Sequence, residues 1–165
     1  MLKKRNQKRW LTNCSFIFFW LLICSSVSAA TPDPIDFTLP TLDGSRFVRL
    51  SEAKHPVLIN FWGVECPACI AELPMLEQFA KTESQWTVLL IATDAAHEVH
   101  NFLARHPVSL PILRTKTNAT NIMRLFGNRL GALPFSVAIN DQKQICWRKL
   151  GALDKHDLAK LKQDC

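Results

Sequence analysis

The chain has 165 residues, a length that fits one domain, and its 20 lysines and arginines against 14 acidic residues give a formal net charge of +6. Five of those 20 basic residues lie within residues 1–9, so the rest of the chain carries 15 basic against 14 acidic residues. Because this remainder is nearly neutral and has no basic stripe, its charge argues against a nucleic-acid-binding protein.

The first 30 residues have the pattern of an export signal. The basic segment 1–9 precedes the apolar run 16–24, and small residues follow it up to Ala30. A basic head, a short apolar middle and a small-residue end are typical of a secretory signal. We therefore expect export to the periplasm, with residues 1–30 either cleaved as a signal peptide or kept as a membrane anchor, and residues 31–165 forming one domain.

The elements that follow begin with short strands. Asp43-Gly44 is a typical turn sequence and predicts a hairpin between apolar positions at 37–39 and 47–50. The nearly continuous apolar run 57–61 predicts a strand that is buried on both faces of a sheet.

Helices alternate with strands over the next 40 residues. Apolar residues at helical spacing predict a helix that begins at Cys66, and Pro67 suits its first turn. The apolar run 87–92 predicts a second buried strand, and the pattern at 95–105 predicts another helix.

The last third of the chain predicts a mixture of the same elements. We expect a short edge strand at 110–113, a helix that includes 122–126, a hairpin of strands 135–139 and 144–150, and an amphipathic helix over 153–161. This order predicts an α/β domain whose sheet is mixed, because its last strands are antiparallel.

The residues that carry chemistry are the cysteines of Cys66-Pro67-Ala68-Cys69. Two thiols across the first turn of a helix are close enough to form a disulfide. The unpaired N–H groups and the partial positive charge at the helix N-terminus favour a thiolate at Cys66. Such a thiolate is both a nucleophile toward disulfides and a good leaving group. Cys69 is expected to be more buried and to resolve the mixed disulfide.

Metal binding is the main alternative for these cysteines, because half of a zinc site has the same spacing. Cys146 and Cys165 are 19 residues apart and supply no second C-x-x-C pair. His97 and His100 share a helix face, but their spacing is not that of H-E-x-x-H. We therefore expect no metal and no cofactor. Cys146 and Cys165 themselves either form a disulfide, as an exported protein allows, or stay as free thiols.

The motifs around the cysteine pair resemble those of the TlpA/ResA-like thioredoxins, which include the cytochrome c maturation thioredoxins. The resemblance covers residues 35–162 and rests on four motifs, namely Phe37-Thr38-Leu39-Pro40 with Asp43-Gly44, Asn60-Phe61-Trp62, Glu72-Leu73-Pro74 and Gly131-Ala132-Leu133-Pro134. It implies a thioredoxin fold with a central mixed sheet, flanking helices and an N-terminal β-hairpin extension.

The same resemblance implies the function. It indicates a periplasmic enzyme that exchanges disulfides with protein partners, more often as a reductant that takes electrons from a membrane donor and passes them to an exported client. A disulfide oxidase or isomerase, or a non-catalytic binding module on the same fold, are the alternatives.

Roles for individual residues also follow from the resemblance. Cys66 corresponds to the attacking thiol and Cys69 to the resolving thiol, while Pro134 corresponds to the cis-proline that faces them. Glu72 corresponds to an acid that exchanges the proton of Cys69; a solvated helix carboxylate is the alternative for this residue. Glu65 departs from the family, which has a large aromatic residue before the first cysteine, and its charge is expected to oppose the thiolate.

Overall fold

The computed structural model describes residues 35–54, 56–115 and 119–165. The expected export signal lies outside these ranges. No helix within them is long and apolar enough to cross a membrane.

The first element is the expected hairpin. Strand β1 (Thr38–Pro40) pairs antiparallel with β2 (Phe47–Arg49). Gly44 adopts a φ of 73° in the connecting turn, a conformation that glycine reaches without steric cost. One turn of 3₁₀ helix (Leu50–Glu52) follows, so the expected second strand ends one residue earlier than its apolar pattern indicated.

Within the described ranges, five further strands form the central sheet. They are β3 (Val57–Trp62), β4 (Thr87–Ala92), β5 (Ile112–Arg114), β6 (Phe135–Ile139) and β7 (Ile145–Leu150). Their spatial order is β5-β4-β3-β6-β7, in which β3, β4 and β5 are parallel and β6 and β7 are antiparallel to their neighbours. The sheet is therefore mixed, as expected.

The described residues form four α-helices, which flank this sheet. They are α1 (Pro67–Thr82), α2 (Ala96–Leu103), α3 (Ala119–Leu125) and α4 (Lys155–Asp164). Helix α2 is shorter at both ends than the predicted 95–105. The prediction for the last helix was wrong about Leu153, which precedes α4, because the Asp154 side chain caps the helix by accepting a hydrogen bond from Asp157 N–H.

The strands separate two apolar layers because alternate side chains point to opposite faces of the sheet. On β3, Leu58 and Trp62 face a layer built with α1, α2 and α4, whereas Ile59 and Phe61 face a layer built with α3 and the hairpin. Asn60 lies between Leu58 and Trp62 in this alternation and faces α1. This placement brings a polar side chain of the central strand to the helix that carries the cysteines.

Candidate active site

The cysteine pair lies at the point where β3 leads into α1. Cys66 is the N-cap of α1 and forms a disulfide with Cys69, with a Cα–Cα distance of 5.2 Å. The Cys69 N–H donates to Cys66 Sγ at 3.2 Å. Cys66 is partly exposed, whereas the exposed fraction of Cys69 is 0%. An outer sulfur that accepts a helix N–H and a covered inner sulfur have the geometry that an attacking and a resolving thiol require.

Glu72 is buried one helical turn after Cys69, with an exposed fraction of 3%. Its Oε1 accepts from the Asn60 amide at 2.6 Å, and its Oε2 accepts from Leu153 N–H at 2.7 Å. Burial raises the pKa of the Glu72 carboxyl above its usual value, although the hydrogen bonds from Leu153 and Asn60 oppose this rise. A solvated carboxylate, the alternative for this residue, is therefore excluded.

A small polar network continues from Glu72 into the sheet. Asn60 Nδ2 also donates to Ser136 Oγ at 3.0 Å, and Ser136 is fully buried on β6. Asn60 Oδ1 is buried without a hydrogen-bond partner in the described part of the chain. Sequence analysis did not select Ser136, because only the pairing of Asn60 with Ser136 in the β3–β6 register brings the two side chains together.

An ion pair lies at the outer side of this network. Lys149 on β7 binds Asp157 in the first turn of α4, and this hydrogen bond raises the pKa of Lys149. Lys149 also acts on Glu72 through its charge and lowers the Glu72 pKa, against the larger effect of burial. The charges of Lys149 and Asp157 therefore both influence the proton affinity of the buried Glu72.

Pro134 lies beside the end of β3. The Leu133–Pro134 peptide bond is cis, as the resemblance implies. Phe135 pairs with Phe61 in the β3–β6 register, so Leu133 and Pro134 lie next to the residues that lead to Cys66. The Leu133 side chain reaches this segment, since a Cβ on Gly63 would lie 3.4 Å from Leu133 Cδ1.

The loop that carries Pro134 is held by a residue that sequence analysis missed. Asn128 is buried; its amide donates to Ala132 O at 2.8 Å, and its Oδ1 accepts from Gly131 N–H at 3.0 Å. The far side of the loop is fixed by Gly151 N–H, which donates to Pro134 O at 2.8 Å. No local pattern in the sequence marked Asn128, because its partners are set by the loop conformation.

Asp94 is a second residue that sequence analysis missed. Its Oδ2 accepts from Val64 N–H at 2.8 Å, two residues before Cys66. A Cβ on Gly63 would lie 3.0 Å from the same oxygen, so glycine permits this close approach. The sequence did contain a signal for the contact of Asp94 with this segment. Strands β3 and β4 are parallel, so their carboxyl ends, Trp62 and Ala92, meet at one edge of the sheet.

The remaining candidate residues lie outside this arrangement. Glu65 is exposed beside Cys66. Cys146 and Cys165 form a second disulfide that connects β7 to the end of α4, which answers the question that the sequence left open. Within the described residues, no three His, Cys, Asp or Glu side chains are placed so that they could hold a metal ion.

Comparison with known proteins identifies the family of the chain. The family model of Redoxin matches residues 28–164. The chain belongs to the Redoxin family. The thiol-disulfide oxidoreductase ResA of Halalkalibacterium halodurans is 32% identical to this Redoxin-family protein over 124 residues, which cover 73% of this chain and 68% of that protein.

Two further relatives extend the comparison. The soluble secreted antigen MPT53 of Mycobacterium tuberculosis is 37% identical over 68 residues, which cover 41% of this chain and 39% of that protein. The crystal structure of a thioredoxin-related protein from Neisseria meningitidis serogroup B superposes with a TM-score of 0.66 at 29% identity and covers 76% of this chain and 97% of that one. This Redoxin-family protein therefore has the thioredoxin fold that its motifs predicted.

Proposed function

We propose that this protein is an exported thiol-disulfide reductant that transfers electrons from Cys66 and Cys69 to protein disulfides. That it is a thioredoxin-like thiol-disulfide oxidoreductase follows from its family and from its 32% identity to ResA. The observation that carries the proposed roles is the disulfide at the N-terminus of α1, with Cys66 partly exposed and Cys69 fully covered.

The proposed reaction has two steps. The Cys66 thiolate attacks one sulfur of a client disulfide, so the client S–S bond breaks, a Cys66–client disulfide forms and the second client sulfur leaves as a thiolate. The Cys69 thiolate then attacks Cys66 Sγ and releases the first client sulfur. The client gains two electrons and two protons, and the protein is left with its Cys66–Cys69 disulfide, which an external dithiol donor reduces again.

Glu72 and Pro134 have supporting roles in this proposal. Glu72 takes the proton of the Cys69 thiol as that sulfur becomes the attacking thiolate. Its raised pKa brings its proton affinity closer to that of a thiol, and a base is most effective when this difference is small. The loop at Pro134 offers the backbone of Leu133 to an extended client chain beside Cys66.

The charge next to the dithiol supports the proposed flow of electrons from this protein to its clients. Glu65 is adjacent to Cys66 and exposed. A negative charge there disfavours the thiolate, and a less stable thiolate makes the disulfide form more stable and the protein more reducing. An oxidase or isomerase is the alternative function.

Residues 1–30 are proposed to direct export and then to be cleaved or to anchor residues 31–165 at the periplasmic side of the membrane. The basic–apolar–small pattern of these residues supports this. The relative named as a soluble secreted antigen supports it as well. A reporter that works only outside the cytoplasm is expected to be active when it is fused to residue 165. Activity of a fused reporter that works only in the cytoplasm would contradict export.

A redox titration of Cys66 and Cys69 against glutathione tests the direction of transfer. We expect a reduction potential of about −270 mV, as in reducing thioredoxins. A reduction potential of about −120 mV, as in strong oxidases, would show that the protein accepts electrons from its clients instead.

A further inference from the structure

One surface beside the candidate active site combines exposed leucines with unpaired arginines. Four large apolar side chains are more than half exposed in the described ranges, and three of them lie between residues 119 and 151, namely Leu125 at 52%, Leu130 at 86% and Leu150 at 53%. A contiguous patch of exposed apolar side chains is typical of an interaction site.

Leu130 and Leu150 line one pocket of about 320 Å³ together with Arg129, Arg148 and Phe135. We call these five residues the leucine–arginine pocket. Arg148 and Leu150 lie on the same face of β7 because they are two residues apart, and Leu150 pairs with Phe135 of β6. Phe135 is almost fully buried, whereas Leu130 and Leu150 are more than half exposed.

The charge of this region is strongly one-sided. Within residues 119–151 the only acid is Asp141, whereas the arginines are Arg124, Arg129 and Arg148. None of the three arginines has a carboxylate partner among the ion pairs of the described residues. An unpaired arginine beside exposed leucine is the combination that binds a carboxylate and an apolar side chain of the same partner.

The leucine–arginine pocket is continuous with the loop at Pro134. Phe135 follows Pro134 directly, and Gly151, the residue after Leu150, donates to Pro134 O. The Leu133 side chain reaches the Gly63 position, three residues before Cys66. A chain seated in the pocket can therefore run past Leu133 toward the disulfide.

We infer that the leucine–arginine pocket binds the client, and that it selects a segment in which leucine-sized side chains alternate with Asp or Glu near the reacting disulfide. This inference rests on the proposed function, since it names the client class of the same dithiol. The acidic side chains pair with Arg129 and Arg148, while the apolar side chains cover Leu130 and Leu150.

Two synthetic peptides test this inference. Both carry one cysteine as a mixed disulfide with 2-mercaptoethanol, which is uncharged; one has alternating Leu and Glu next to the cysteine and the other has alternating Leu and Lys. The rate constant for release of the peptide thiol by the reduced protein is measured at low and high salt. We expect the acidic peptide to react about tenfold faster, with the difference shrinking at high salt.

Variants assign this preference to the pocket. The double variant Arg129→Glu/Arg148→Glu is expected to reverse the preference. The variant Leu130→Ser is expected to slow the reaction of the acidic peptide more than the reaction of a matching peptide in which Ser replaces Leu. The control Arg105→Glu/Lys160→Glu makes the same charge change at exposed positions outside the pocket and is expected to keep the preference. If the charge reversal prevents folding, the variant Arg129→Gln/Arg148→Gln is used in its place. This variant is expected to abolish the preference for the acidic peptide.

Equal rates for the two peptides, or an equal effect of the control variant, would overturn the inference and leave the proposed function intact. Release of neither peptide thiol by the reduced wild-type protein would instead contradict the proposed function itself.

Discussion

At the scale of single residues, Glu72 shows how a carboxylate can be buried next to a redox pair. It is covered by the sheet and by the loop before α4, and both of its oxygens accept hydrogen bonds from N–H groups. Such bonds offset part of the cost of removing a charge from water. The pKa of Glu72 nevertheless stays raised, because burial outweighs them.

Replacing Glu72 by Gln is expected to slow the resolving step by about 10²-fold, since Gln cannot take the proton of Cys69. The rate at which Cys69 closes the disulfide, followed by rapid mixing across a range of pH, measures this. The matched control is Glu52→Gln, because Glu52 is exposed and forms only a surface pair with Arg49. A resolving rate in Glu72→Gln equal to that of the control would contradict the proton-transfer role.

The same variant tests the raised pKa through stability. The folded protein binds the Glu72 proton more tightly than the unfolded chain does, so the free energy of unfolding falls as pH rises from the usual glutamate value of 4.5 through the raised value. Glu72→Gln removes this fall. The free energy of unfolding of Glu72→Gln minus that of wild type, measured by urea titration, is therefore expected to increase as pH rises through that window. A difference that does not change with pH would show that the Glu72 pKa is not raised.

Glu65 is expected to tune the dithiol from the exposed side. Glu65→Gln removes a negative charge beside Cys66, which lowers the pKa of the Cys66 thiol and raises the reduction potential by up to about 30 mV. Thiolate absorbance and a glutathione titration measure the two effects, which should shrink at high salt. An unchanged pKa of Cys66 in this variant would mean that the carboxylate points away from the sulfur.

At the scale of elements, the second disulfide connects an edge strand to a helix. Cys146 lies where the β6–β7 register shifts, and Cys165 caps the end of α4. The chain between them includes Leu153, whose N–H binds Glu72. The disulfide therefore closes the segment that covers the buried acid.

Removal of this disulfide is expected to cost stability and to leave the chemistry in place. Cys146→Ser or Cys165→Ser should lower the free energy of unfolding by about 3 kcal/mol, because a loop of this length is no longer closed in the unfolded chain. The double variant should lose no more than either single variant, since both break the same bond. Loss of disulfide reduction in a folded Cys146→Ser protein would instead indicate a second essential pair.

The elements themselves could be predicted well where local patterns decide them. The apolar runs predicted β3 and β4, and Asp43-Gly44 predicted the first hairpin. Element ends were less certain, because capping and tertiary contacts set them, as Leu153 shows. In the site, the cysteines and Glu72 were visible in the sequence, whereas Ser136 and Asn128 were not, since their contacts depend on strand register and loop conformation.

At the scale of the whole domain, the mixed sheet explains why the site lies where it does. The carboxyl ends of β3 and β4 meet at one edge, and the loops after them bring Gly63 and Asp94 together next to Cys66. The antiparallel strand β6 begins at the same edge, so Pro134 and the leucine–arginine pocket lie on the approach to the dithiol. One edge of the sheet thus holds both the reacting sulfurs and the surface proposed to receive the client.

The central claim is that Cys66 attacks the client disulfide and Cys69 resolves the intermediate. Trapping of the mixed disulfide tests it most directly. The reduced variants Cys69→Ser and Cys66→Ser are each mixed with insulin, and intact mass spectrometry identifies any covalent adduct and its position. We expect Cys69→Ser to accumulate insulin on Cys66 through one mixed disulfide, and Cys66→Ser to accumulate no adduct. An adduct on Cys69 in Cys66→Ser, or no adduct in Cys69→Ser, would contradict the account.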